Sequence, residues 1–142
     1  MAFNVLIVDD SAPMRSVIKK TLKMSGFNLG ELFEASNGIE ALEVLRDNWL
    51  DLVLTDYNMP EMDGLQLIEE MKKDDLLSAI PIVVITTEGS KEKIRTFLEK
   101  GASDCIQKPF TPEVIKKRLN HILGEPEDEC AAIDECDEGL DF

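Results

Sequence analysis

Residues 3–10 read Phe3-Asn4-Val5-Leu6-Ile7-Val8-Asp9-Asp10, a run rich in apolar residues that stops on two adjacent acids. A short apolar run bounded by polar residues has the pattern of a strand buried on both faces, as in a parallel sheet covered by helices. Leu52–Thr55 and Ile82–Thr86 repeat the pattern, and the weaker runs Leu32–Ala35 and Cys105–Gln107 read as edge or short strands. Between them apolar residues recur at helical spacing. The stripes are Met14, Val17, Ile18, Thr21 and Leu22; then Ala41, Val44, Leu45 and Trp49; then Gly64, Leu67, Ile68 and Met71. Ile94, Phe97 and Leu98 follow, and Ile115, Leu119, Ile122 and Leu123 close the series. Thr111-Pro112 joins an N-cap residue to a proline at the first helical position, and Asn37 and Ser90 are further cap candidates. Met14 and Met71 read as core, Trp49 as packing at the end of the second helix, and His121 as a surface residue near a helix end. Five strands alternating with five helices predict an α/β fold with a doubly wound parallel sheet.

The chain has 142 residues, about one domain's worth. Its net charge of −14 is unevenly spread: residues 125–142 hold nine acids and no Lys or Arg, leaving residues 1–124 with 15 basic against 20 acidic side chains. A domain over 1–124 followed by an acidic tail over 125–142 is therefore expected. Nucleic acid is not an expected partner, since phosphate backbones are bound through basic footprints. No apolar run approaches the ~20 residues of a membrane span. No basic segment followed by a long apolar stretch marks a signal peptide at the start, so a cytoplasmic protein is expected. The three cysteines, Cys105, Cys130 and Cys136, are too few for a disulfide framework. High charge and few aromatics predict a disordered tail. Ile133, Leu140 and Phe142 are nevertheless spaced among its acids, a pattern able to fold on a basic or apolar groove. Cys130 and Cys136 are expected to be free thiols.

In doubly wound sheets ligands bind beyond the carboxyl ends of the strands. The residues there are Asp9 and Asp10 after the first strand, Asp56 ending the third, Thr86 ending the fourth, and Lys108-Pro109 after the fifth. Three clustered carboxylates ionise together cheaply only beside a cation, and an all-oxygen set suits Mg²⁺. Lys108 adds a positive charge and Thr86 a hydroxyl, a set suited to holding a phosphoryl group on a carboxylate. Thr86 is preferred to Thr87, which is expected to face away.

The stretches Val5–Ser11, Thr55-Asp56-Tyr57-Asn58-Met59-Pro60-Glu61-Met62-Asp63-Gly64, Ile85-Thr86-Thr87-Glu88 and Gly101–Asp104 to Lys108-Pro109-Phe110, with Met14-Arg15 after the acid pair, resemble the receiver domain of two-component response regulators, and most of all its single-domain chemotaxis members. The resemblance covers residues 3 to about 123. It implies a flavodoxin-like (βα)5 sheet in strand order 2-1-3-4-5, with Asp56 as phosphoacceptor. Asp10 and Asp56 would bind Mg²⁺ directly, Asp9 through water, and Asn58 through its backbone carbonyl. Thr86 and Lys108 would contact the phosphoryl group, a cis peptide before Pro109 would aim the lysine inward, and Asn58 and Glu88 would tune hydrolysis.

The implied partners are a histidine kinase, an output target such as a flagellar motor switch protein, and a phosphatase. The implied molecule is a monomer that assists its own phosphorylation and is not otherwise an enzyme. Three departures stand out: Tyr57 replaces a tryptophan, Cys105 replaces the aromatic residue that usually moves with the threonine, and the acidic tail from Glu125 to Phe142 is additional. Two other classes compete with this switch, and within it the alternative is a stand-alone receiver of another two-component pathway or a phosphate sink. A phosphohydrolase of the haloacid dehalogenase type needs a second Asp where Asn58 stands. A phosphorylation-independent module would not need so complete a site, and a phosphate sink would share every residue named.

Overall fold

The computed structural model describes residues 2–26, 29–57, 59, 61–87, 91–108 and 110–123. Val5 to Val8 are fully buried because helices cover both sides of their strand. That strand is β1 (Phe3–Val8), and the chain continues through α1 (Ala12–Ser25), β2 (Leu29–Ala35), α2 (Gly38–Asp47), β3 (Leu52–Asp56) and α3 (Gly64–Lys73). A 3₁₀ turn at Leu77–Ala79 leads to β4 (Ile82–Thr86), α4 (Lys91–Lys100), β5 (Asp104–Gln107) and α5 (Pro112–Leu123). All strand pairs are parallel, in the order β2-β1-β3-β4-β5. The weaker apolar runs are the two edge strands, and β2 starts three residues earlier than its apolar run suggests.

Alternation along each strand sends side chains to two separate cores. Leu6, Val8, Val53, Ile82, Val84 and Cys105 face α2, α3 and α4, meeting Leu45, Ile68, Met71 and Phe97. Val5, Ile7, Leu52, Leu54, Val83, Ile85 and Ile106 face α1 and α5, meeting Ile18, Leu22, Ile115 and Leu119. Predicted caps form where they are described. Asn37 accepts a hydrogen bond from Glu40 N at 2.9 Å, and Thr111 Oγ1 one from Val114 N at 3.2 Å. Ser90 lies outside the described residues, as does the whole segment 124–142 with Cys130 and Cys136.

Three stripe members behave differently from expectation. Trp49 is 82% exposed, because α2 stops at Asp47 and Asn48 is extended, so the i+4 relation to Leu45 no longer holds. The inner face of α2 is instead completed by Leu42, one turn before Leu45. Val17 and Leu98 are exposed because α1 and α4 each bury a narrower face, through Ile18 and Leu22 and through Phe97 respectively. Met14 is half-buried against the α1–α5 core, Met71 is fully buried, and His121 is exposed as expected.

Candidate functional site: an acidic cluster faced by one lysine

The order of the strands reverses at β1, whose neighbours β2 and β3 lie on opposite sides, so a crevice opens at its carboxyl end. Val8 pairs with Thr55, which brings the following residues, Asp9 and Asp56, out side by side. Asp9, Asp10 and Asp56 each present a carboxylate oxygen, and these three atoms lie within 4.8 Å of one another. From the far side of the sheet, Lys108 reaches across. Its Nζ stands 3.6 Å from Asp9 Oδ2 and 3.6 Å from Asp56 Oδ1. The Lys108 backbone N–H donates to the Thr86 carbonyl at 2.8 Å, which anchors the base of that arm to β4.

Each acid has a distinct setting. Asp9 is buried; its Oδ1 accepts from Ser11 N at 2.9 Å, while its Oδ2 is buried with no hydrogen-bond partner. Asp10 is exposed. Asp56 accepts from Tyr57 N at 2.9 Å. Burial pushes the Asp56 carboxyl above its ordinary range; Lys108 pulls it back down and Asp9 pushes it up again. One ammonium against three carboxylates leaves the crevice short of positive charge. A buried oxygen that has no hydrogen bond and only a 3.6 Å ion pair, in an all-oxygen donor set, is what a hard divalent cation satisfies, so the residues present fit Mg²⁺.

Thr86 is 2% exposed and Thr87 is exposed, which places the preferred threonine inside. Cys105 lies buried on the α4 side of the sheet. Its thiol is pushed up to about 11, by burial first and by the Asp104 carboxylate second. Asn58, Glu88 and Pro109 lie outside the described residues.

Three residues support the site through contacts that the sequence did not show. Arg15 donates to the Asp9 carbonyl at 2.6 Å and to Glu34 at 2.8 Å, bracing the acid pair against β2. A Cβ at Gly64 would collide with the Asp56 carbonyl oxygen, so α3 can start this close to the acid only with glycine. Lys93 of α4 sits over the Tyr57 ring, next to Asp56. The Met14-Arg15 and Asp63-Gly64 pairs were visible as motif letters. Their contacts, between residues far apart in the chain, were not.

Residues 5–120 match the family model for the response regulator receiver domain. The chain is 45% identical over 121 residues to the chemotaxis protein CheY1 of Helicobacter pylori, covering 84% of this chain and 96% of that one. It is 41% identical over 129 residues to the chemotaxis protein CheY homolog of Campylobacter jejuni, covering 90% and 98%. The solved structure of the chemotaxis response regulator CheY4 of Vibrio cholerae matches with a TM-score of 0.77 at 33% identity, covering 87% of this chain and all of that one. The chain belongs to the response regulator receiver domain family. Within it, this is a CheY-like receiver with chemotaxis proteins among its relatives. No helix of the described residues is long and apolar enough to cross a membrane.

Proposed function

We propose that the chain is a phosphorylation switch in which Asp56 accepts a phosphoryl group from a CheA-like histidine kinase. The observation that carries this reading is Lys108 Nζ, 3.6 Å from both Asp9 and Asp56, in a crevice with a third carboxylate from Asp10. One Asp56 oxygen attacks phosphorus as the P–N bond to the kinase imidazole breaks, and the leaving nitrogen takes up a proton. Lys108 sets its ammonium against the phosphoryl oxygens, and the Thr86 hydroxyl donates to one of them. Asp10 and Asp56 directly, Asp9 through water and Asn58 through its backbone carbonyl would hold Mg²⁺, which would supply the remaining positive charge. Positioning and electrostatics of this kind account for most phosphoryl-transfer catalysis. Asp9, braced by Ser11 and Arg15, holds its negative charge in place so that the cation and lysine stay in register. Asn58 and Glu88 set the lifetime of the acyl phosphate.

The chain acts as a cytoplasmic, monomeric phosphoacceptor with no turnover of its own beyond that acyl phosphate. Its similarity to chemotaxis proteins supports a flagellar motor switch protein as the output target, with a phosphatase to end the signal. Incubation with acetyl phosphate and Mg²⁺ should label the wild type, while Asp56→Asn and excess EDTA should each abolish labelling. Equal labelling of Asp56→Asn would overturn the assignment of the acceptor, and labelling indifferent to EDTA would overturn the metal's role.

A further inference from the structure

Charge is partitioned along this chain in a way that phosphoryl acceptance does not use. Residues 1–90 hold seven basic and sixteen acidic side chains, and residues 124–142 hold nine acidic and no basic ones. Between them, residues 91–123 hold eight basic and four acidic side chains, the net positive stretch of the sequence. That stretch is α4, β5 and α5. The most acidic segment follows it directly.

The positive charge on α4 is arranged around an apolar floor. Lys91, Ile94, Arg95, Leu98 and Glu99 line an open groove of about 410 Å³. Leu98 is 44% exposed there, with Lys91 and Arg95 as the cations and Glu99 as the acid of the lining. The other two α4 lysines are turned elsewhere: Lys93 lies over Tyr57, and Lys100 pairs with Glu69 at 3.2 Å. Lys91 and Arg95 are exposed and have no ion-pair partner among the described residues.

Segment 124–142 has the complementary chemistry, with Ile133, Leu140 and Phe142 set among nine acids. Reach does not limit it. Nineteen residues extend to about 60 Å, whereas a domain of this size has a radius of gyration of only about 14 Å. Tethering also keeps such a segment at millimolar effective concentration, so modest contacts suffice. A wider groove of about 580 Å³, with Trp49 and Leu76 exposed, offers more apolar surface. Its charged lining is Asp47, Asp51 and Asp74 against Arg46 alone, which repels the same segment.

We propose that residues 124–142 dock in cis on the α4 groove, their acids against Lys91 and Arg95 and their apolar side chains against Ile94 and Leu98. The segment then covers α4, and any partner that reads α4 must displace it. This does not depend on phosphorylation of Asp56, so the test uses the unphosphorylated full-length chain.

In a Cys130→Ser background, a nitroxide attached to Cys136 leaves buried Cys105 unmodified. At low salt the amide NMR signals of Ile94, Arg95 and Leu98 should lose most of their intensity, while Leu32 and Phe33 on the opposite edge keep theirs. Intensity should return in 1 M salt, and also in the surface variant Lys91→Glu/Arg95→Glu. Dilution should change nothing. Three results would each overturn the proposal: full intensity on α4 at low salt, broadening at Trp49 and Leu76 instead, or α4 broadening that fades on dilution and so comes from a second copy. Retained broadening in the charge-reversal variant would also overturn it.

Discussion

Lys93 Nζ lies 4.7 Å from the centroid of the Tyr57 ring and 3.4 Å from its hydroxyl, so α4 rests on the residue that follows Asp56. The same ring meets Phe97, one turn further along α4, at a centroid distance of 5.1 Å. Aromatic pairs contribute about 0.5–1.5 kcal/mol and cation–π contacts about 0.5–1 kcal/mol. Tyr57→Leu should therefore destabilise the fold by about 1–2 kcal/mol in urea titrations. Amide exchange should quicken in α4 and stay unchanged in α5. Lys93→Met, which keeps the aliphatic stem, should cost about 0.5–1 kcal/mol. Equal α4 protection in Tyr57→Leu would mean the ring does not hold that helix.

The close approach of Gly64 to Asp56 gives a second expectation. A Cβ there meets the Asp56 carbonyl oxygen and stands 3.1 Å from Tyr57 Cα, and backbone cannot swing aside as a side chain can. Gly64→Ala should cost about 1–3 kcal/mol as an overpacking change. It should also slow labelling by acetyl phosphate, because the acid must move with its backbone. A variant with wild-type stability and labelling would show that the contact has slack.

The setting of Asp56 makes stability depend on pH in a definite direction. Its folded pKa is raised, mainly by burial, so the folded state binds the proton more readily than the unfolded chain does. Stability then falls as pH rises from the unfolded value through the raised one, and the ionised acid remains a cost at neutral pH. In EDTA at pH 7, Asp56→Asn should melt above the wild type, and the gap should narrow as the pH drops into the carboxylate range. Added Mg²⁺ should raise the melting temperature of the wild type far more than that of Asp56→Asn. A wild type that melts higher than the variant in EDTA would contradict the assigned direction.

Cys105 should be chemically quiet. With its thiol pushed up to about 11, only about 0.1% is thiolate at pH 8, and the thiolate is the nucleophile. In a Cys130→Ser/Cys136→Ser background, iodoacetamide should alkylate the native protein at least about 100-fold more slowly than the urea-unfolded chain. Comparable rates would mean that the buried position opens readily.

Much of this was legible in the residues themselves. The stripe Leu67, Ile68 and Met71 is fully buried, and the caps at Asn37 and Thr111 form, because helical spacing and cap chemistry are local properties. Trp49 was misplaced because periodicity cannot say where a helix stops: with α2 ended at Asp47, the same spacing leads to solvent. Val17 and Leu98 were misplaced because the width of a buried face depends on what covers it. The acids of the site could be named because they end strands. The bracing of Asp9 by Arg15 could not, since it joins a helix side chain to a strand-end carbonyl.

By itself, the chain's order of residues determined the alternation of buried strands and covering helices, and which polar side chains would stand at the strand ends. Both follow from periodicity within a few residues. Tertiary structure alone decided that Lys108 reaches Asp9 and Asp56 at equal distance, that Asp9 keeps one buried oxygen without a hydrogen bond, and that Tyr57 meets both Phe97 and Lys93. These relations join residues up to 99 positions apart. Distances of that kind are set by how the sheet twists and the helices settle on it, and no local pattern encodes them.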